Sequence, residues 1–327
     1  MARQPAERID PGGEHARRPG PAPATGELVA RLRQAGCVRA EEEAALLTAQ
    51  AADDDTLERL VARRAAGEPL EHVVGWAEFL GLRVRVGPGV FVPRRRTEAL
   101  ALEARRLLAE RRGRGLGGDQ RPGEQPGAPD EQRAGPGQLR MAPRSEGLPR
   151  AVVVDVCCGS GALGLAVAVA HDLELHASDV DPAAVACARD NLEGVGGSVH
   201  EGDLFDALPD RLRGHVDVLL ANVPYVPTDH LDLLPAEARD HEARVALDGG
   251  PDGLDVLRRV AAAAPAWLRA GGHLLSEVSD RQAADALGVL ASRGLRARAV
   301  PGDGGVVVVG TALPSARADP RVRPAPA

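Results

Sequence analysis

The segment Leu219-Leu220-Ala221-Asn222-Val223-Pro224-Tyr225-Val226-Pro227-Thr228 gathers residue types that the rest of the chain almost lacks. Tyr225 is the one tyrosine, and Asn222 shares the chain with a single other asparagine, Asn191. Both follow the apolar run 216–221, which reads as a strand. A planar NH2 group is a poor nucleophile because its lone pair is delocalised. An enzyme that alkylates it must hold both N–H groups, and two acceptors suffice: the Asn222 side-chain oxygen and a main-chain carbonyl. Val223 precedes Pro224, so its backbone is biased to an extended conformation and its carbonyl can point into a cleft. The Tyr225 ring can cover the flat amide and face a cationic methyl donor, an attraction of ~0.5–2 kcal/mol. Fixing nucleophile and donor in line is worth up to ~7–11 kcal/mol, and no strong general base is then needed before the transfer. Asn222, Pro224 and Tyr225 are the catalytic candidates, and Asn222, Val223, Pro224 and Tyr225 the substrate-binding ones. The plainer reading of the same residues is a turn that ends a strand.

A second constellation lies upstream. Residues 152–164 run strand, glycine-rich turn, helix. Gly159 and Gly161 let the backbone turn sharply and approach a ligand with no Cβ in the way. Asp155 sits at the carboxyl end of the strand, where open α/β sheets bind ligands. Asp179 ends the next strand, where an acid can bind ribose hydroxyls. Gly159-x-Gly161-x-x-Gly164 also satisfies the dinucleotide pattern, so these residues point to a nucleoside cofactor and leave S-adenosylmethionine and NAD(P) both open. Cys157, Cys158 and Ser160 complete the turn, the cysteines as small apolar residues. Asp203 and Leu204 follow the third strand and face the cofactor's base in a doubly wound sheet. There the Asp203 carboxylate could accept the exocyclic amine of adenine; a loop cap is the other use for it.

The elements that position these groups follow from periodicity. Residues 26–67 carry apolar side chains at helical spacing and form a small helical domain. Asp53-Asp54-Asp55 favours a helix start within it. Residues 68–112 form a hairpin and a connecting helix. Leu82, Val84 and Val86 alternate with arginines, Gly87-Pro88-Gly89 reads as the turn, and Val90-Phe91-Val92 as the returning strand. Trp76, Phe79 and Phe91 would staple the hairpin as a local aromatic core. A helix runs from Thr97 to about Arg112. Residues 150–312 alternate strands and helices, which implies a parallel sheet covered on both faces, with the last two strands antiparallel. Residues 1–25, 113–149 and 313–327 are rich in Gly, Pro and Arg or Gln. They bury too little apolar surface to offset their ordering entropy and read as a disordered leader, insertion and tail.

Composition narrows the partners. A net charge of −7 argues against broad binding to a phosphate backbone, and all 40 basic residues are arginine. The four cysteines, Cys37, Cys157, Cys158 and Cys187, form neither a C-x-x-C pair nor a zinc pattern. Reduced thiols suit the cytoplasm, and no metal is expected. No run approaches the ~20 apolar residues of a membrane helix.

Asn222-Val223-Pro224-Tyr225 resembles the Asn-Pro-Pro-Tyr motif of class I methyltransferases that modify planar nitrogens. The chain as a whole resembles the HemK/PrmC family of protein-(glutamine-N5) methyltransferases, over roughly residues 26–112 and 150–312. Residues 79–100 are similar to that family's linker signature. Within 241–260, Glu242, Ala246-Leu247, Gly249-Gly250 and Asp252-Gly253-Leu254 fall on its pattern. The resemblance implies an α/β fold of the class I, Rossmann-like type: a seven-stranded, mostly parallel sheet with a helical N-terminal domain and a hairpin linker. It implies that Cys157, Cys158, Gly159, Ser160, Gly161, Asp179 and Asn222 contact S-adenosyl-L-methionine. It also implies that Asn222–Tyr225 hold a glutamine exposed on a protein, a peptide-chain release factor in the family. Three departures mark a divergent, actinobacterial-type branch. Val223 replaces the first proline, Arg95 and Arg96 replace Pro-Glu in Pro-Arg-Pro-Glu-Thr-Glu, and Cys157-Cys158-Gly159-Ser160-Gly161 replaces Gly-Thr-Gly-Thr-Gly.

Two other activities share parts of this pattern. The same motif could hold an exocyclic amino group of nucleic acid, but the acidic charge and the absence of lysine count against it. An NAD(P)-dependent oxidoreductase would use the glycine loop and leave Asn222–Tyr225 without a role. A non-catalytic binding module is the third class, and it would tolerate loss of Asn222.

Overall fold

The computed structural model describes residues 26–115 and 149–314. The expected leader 1–25, and nearly all of the expected insertion and tail, lie outside them. At the amino end, helices α1 (Gly26–Gln34), α2 (Ala40–Gln50), α3 (Asp54–Ala65) and α4 (Leu70–Val74) pack Leu32, Leu47 and Val61 into a core of their own. Asp53 caps α3, accepting the Thr56 N–H at 2.7 Å, as the acidic run predicts. Buried Arg64 spends its guanidinium on Glu43 and on Glu237, each at 2.6 Å.

The hairpin differs from expectation. Its strands are β1 (Trp76–Phe79) and β2 (Leu82–Arg85), paired antiparallel with Trp76 opposite Arg85. The turn is Leu80-Gly81, with φ +50° and +69°, and not Gly87-Pro88-Gly89; residues 90–92 form no strand. The carboxylate of Glu98 accepts the Leu80 N–H at 3.1 Å and holds a turn for which leucine is a poor residue. The aromatic staple does not form either. Phe79 enters the main core, the Arg83 guanidinium stacks 4.0 Å over the Trp76 ring, and Phe91 faces a cleft. Ala77, Val86, Val90 and Val92 pack together instead. Helix α5 (Glu98–Gly115) continues past the expected end.

Beyond it the chain alternates: β3 (Ala151–Val156), α6 (Ala162–Ala170), β4 (Leu173–Asp179), α7 (Pro182–Leu192), β5 (Ser198–Glu201) and β6 (Val216–Ala221). Then come α8 (Ala236–His241), α9 (Asp255–Trp267), β7 (Leu268–Val278), α10 (Ala283–Ser292), β8 (Leu295–Gly302) and β9 (Gly305–Ala312). The seven strands lie in the order β5-β4-β3-β6-β7-β9-β8. Strand β9 runs antiparallel to both neighbours and the other pairings are parallel. All six residues of β6 are buried, as a strand covered on both faces must be. One face carries α5 and α6 on Leu100, Leu165 and Val153; the other carries α9 and α10 on Leu257, Trp267 and Leu290. No helix of the described residues is long and apolar enough to cross a membrane.

Register sets up the site. Val156 of β3 lies opposite Ala221 of β6, so the glycine turn and Asn222–Tyr225 leave the sheet side by side. Asn191, the other asparagine, works elsewhere. Its Nδ2 donates to the carbonyls of Ser160 at 2.8 Å and Arg85 at 2.9 Å, and its Oδ1 accepts the Arg85 N–H at 2.9 Å. One buried carboxamide thus bolts the hairpin to the glycine turn.

Candidate active site

A cleft of about 550 Å³ opens at the carboxyl ends of β3, β4 and β6. Cys157–Ser160, Asp179, Asp203, Leu204 and all of Asn222–Tyr225 line it. Gly161 and Asp155 do not. Gly161 precedes α6 and faces Leu192 and Ala188, while Asp155 is fully buried beneath the turn.

The turn hangs on β4. Asp179 accepts the Gly159 N–H at 2.8 Å and the Asp181 N–H at 3.0 Å; burial raises its pKa above the usual carboxylate range. A carboxylate oxygen offers two lone pairs, so acceptor capacity remains for ribose hydroxyls. Val180, half-exposed beside it, and Leu204 give flat apolar contacts for a base. Arg259 of α9 donates to one oxygen of Asp203 at 2.5 Å, which leaves its other oxygen for the base amine that the sequence reading assigns to it. Loop backbone, ribose-side carboxylate and apolar base contacts together fit an adenosyl cofactor.

Asp155 accepts the Gly164 N–H at 3.0 Å through one oxygen, and its other oxygen has no partner among the described residues. Burial pushes its pKa from 3.8 up to about 7. The native state therefore holds this proton where the unfolded chain has released it. Its contribution to stability is complete below the unfolded pKa and is lost as pH rises through about 7. We expect wild type to lose up to about 4 kcal/mol relative to Asp155→Asn between pH 4 and 7. Denaturant titrations of both proteins across that range measure it; parallel pH profiles would rule the burial effect out.

Cys157 adopts φ +54°, the left-handed region that favours glycine. Burial raises the pKa values of both Cys157 and Cys158, so neither is a reactive thiolate at neutral pH. Cys157→Gly should stabilise the fold by about 0.5–1 kcal/mol, the relief of backbone strain outweighing added unfolded-state entropy and lost packing. A lower melting temperature in the variant would show that packing dominates.

At the other end, the Asn222 side-chain oxygen is buried and has no hydrogen-bond partner among the described residues. The Pro224 carbonyl is packed against Gly249, and the Tyr225 carbonyl accepts from Gln282 Nε2 at 2.9 Å. No hydrogen bond engages the Val223 carbonyl among the described residues. The Gly249–Gly253 loop supports this backbone from behind: Val226 donates to Leu247 at 3.1 Å and accepts the Gly249 N–H at 2.9 Å. Tyr225 donates its hydroxyl to Glu277 at 3.2 Å, and burial, then Glu277, pushes its pKa up so that it stays a neutral phenol. Arg94 pairs with buried Glu242 at 2.5 Å, joining the linker to the cleft wall. No local pattern signals Arg259, Glu277, Arg96 or Gln282, whose partners Asp203, Tyr225, Glu277 and Tyr225 lie 52 to 181 positions away along the chain.

Residues 141–287 match the family described as methyltransferase small domain. The release factor glutamine methyltransferase of Geobacter sulfurreducens is 37% identical over 241 residues, covering 72% of this chain and 69% of that protein. Its counterpart in Streptomyces coelicolor is 35% identical over 224 residues, covering 68% and 67%. A solved 16S rRNA methyltransferase of T. thermophilus superposes with a TM-score of 0.45 at 19% identity, covering 72% of this chain and 49% of that one. On the identity and coverage of its curated relatives, the chain belongs to the HemK/PrmC family of release factor glutamine methyltransferases.

Proposed function

We propose that the protein methylates the side-chain amide nitrogen, N5, of an exposed glutamine on a peptide-chain release factor, in the cytoplasm, using S-adenosyl-L-methionine. One observation carries this reading: a buried carboxamide oxygen without a partner, on Asn222, shares a cleft with a nucleoside-type glycine turn. Cys157–Ser160, Asp179, Val180, Asp203 and Leu204 would hold the cofactor. When bound, it supplies an electrophilic methyl group on a sulfonium.

The chain's own residues prepare the nucleophile. Asn222 Oδ1 and the Val223 carbonyl accept the two N–H groups of the target amide and orient its nitrogen. Tyr225 covers the amide with its ring, and as a neutral phenol it adds no charge. Nothing in Asn222–Tyr225 is a base, so acceleration rests on positioning, and the alkylated nitrogen, made acidic by its new bond, loses one N–H proton to water after the transfer.

Incubation with labelled S-adenosylmethionine and a release factor tests the proposal. Label should appear on the release factor and vanish when its target glutamine is replaced by alanine. Label confined to nucleic acid in a parallel incubation would reverse the assignment of substrate.

A further inference from the structure

Two side chains from separate segments, Tyr225 and Arg96, meet at one oxygen of Glu277, near the carboxyl end of β7. The Tyr225 hydroxyl donates to Glu277 Oε1 at 3.2 Å, and Arg96 Nε lies 3.0 Å from the same atom. The Arg96 guanidinium carbon also sits 5.5 Å from the centroid of the Tyr225 ring. Glu277 is buried, and its Oε2 has no partner among the described residues. Arg96 and Tyr225 both line the cleft. We propose that Arg96 is a positioning residue for the transfer, fixing the Tyr225 ring both directly and through Glu277.

Two constraints are needed to fix a phenol ring. The hydrogen bond at its hydroxyl pins the far end, but leaves rotation about the axis through that end. A guanidinium over the face selects the plane, because the cation is attracted to the ring's negative face and not its edge. Glu277 joins the two constraints. Without Arg96 it would be a buried carboxylate facing a phenol alone, with its charge uncompensated. Arg96 stands in the linker between the hairpin and α5, where the similar family motif carries glutamate. A second carboxylate there would repel Glu277, so the contact depends on the departure from that motif at position 96.

The inference rests on the proposed function, and its test separates the two. Arg96→Gln should lower kcat about tenfold through loss of a cation–ring contact and a charge-assisted bond. Affinity for S-adenosylhomocysteine, measured by calorimetry, should stay within about twofold, since the cofactor-holding residues are untouched. In a Tyr225→Ala background the same Arg96→Gln change should cost less than about threefold, because the two residues act as one unit. Arg96→Lys, which keeps the cation, should recover most of the loss. Equal losses in both backgrounds would mean that Arg96 only neutralises Glu277 for stability, and would overturn the proposal.

A second readout needs no acceptor. Ring-labelled tyrosine gives NMR signals from Tyr225 alone. Arg96→Gln should shift and sharpen these signals in the S-adenosylhomocysteine complex, and unchanged signals would overturn the positioning role. If wild type fails to methylate a release factor, the substrate reading falls while the ring signals still decide the role of Arg96.

Discussion

Asn222→Ala is expected to lower kcat by about 10³-fold, a loss of about 4 kcal/mol of transition-state stabilisation. Stability should not fall with it. The Asn222 oxygen is buried without a partner among the described residues, and such an orphan costs about 1–3 kcal/mol in the folded state. Alanine removes the orphan and breaks no hydrogen bond that the folded chain makes to that oxygen. The melting temperature should therefore hold or rise slightly while turnover collapses. That combination separates an acceptor awaiting a substrate from a side chain that holds the fold, whose loss would lower both. Single-turnover methylation, calorimetric melting and S-adenosylhomocysteine titration form the experiment. Turnover within about tenfold of wild type would remove Asn222 from the amide-holding role. A large loss of S-adenosylhomocysteine affinity would place its main contact on the cofactor instead.

The candidate site was legible because its two stretches are local. Asn222–Tyr225 and Cys157–Gly161 are short stretches whose residue types have few other uses, and both sit at strand ends. The strands themselves were legible because burial on both faces demands largely apolar runs such as 216–221, where Asp217 is the one polar residue and is ion-paired to Arg111 and Arg269. What the sequence hid was pairing between distant residues. Nothing near Asp203 signals that Arg259 pairs with its carboxylate, and nothing near Tyr225 signals Glu277 or Arg96. The hairpin misled for a related reason. Gly87-Pro88-Gly89 carries the strongest turn composition, yet the turn forms at Leu80-Gly81, where Glu98 supplies a bond from 18 positions downstream. Asn191 shows the same limit. Its residue type matches Asn222, but its environment makes it a structural bolt between Arg85 and Ser160.

Gly253→Ala should cost about 3–4 kcal/mol of stability, the sum of a left-handed backbone penalty and a broken hydrogen bond. Gly253 has φ +77°, and a Cβ there would sit 2.2 Å from the Tyr225 carbonyl oxygen and 2.4 Å from Gln282 Nε2. Those two atoms are hydrogen-bonded to each other at 2.9 Å, so the methyl group must part them. The Tyr225 backbone is what the clash moves, and kcat should fall about 10²-fold because a misplacement near 1 Å is that costly. Gly271→Ala is the control. Its φ is +76°, but nothing lies within 4 Å of the added Cβ. It should carry the backbone penalty alone, about 1–2 kcal/mol, and keep wild-type kcat. Thermal melts and kinetics of the two variants then isolate the effect of the clash from that of the dihedral angle. Equal kcat values for both would mean that the 249–253 loop carries Tyr225 without setting its position, and that the support from behind the cleft is dispensable for the reaction.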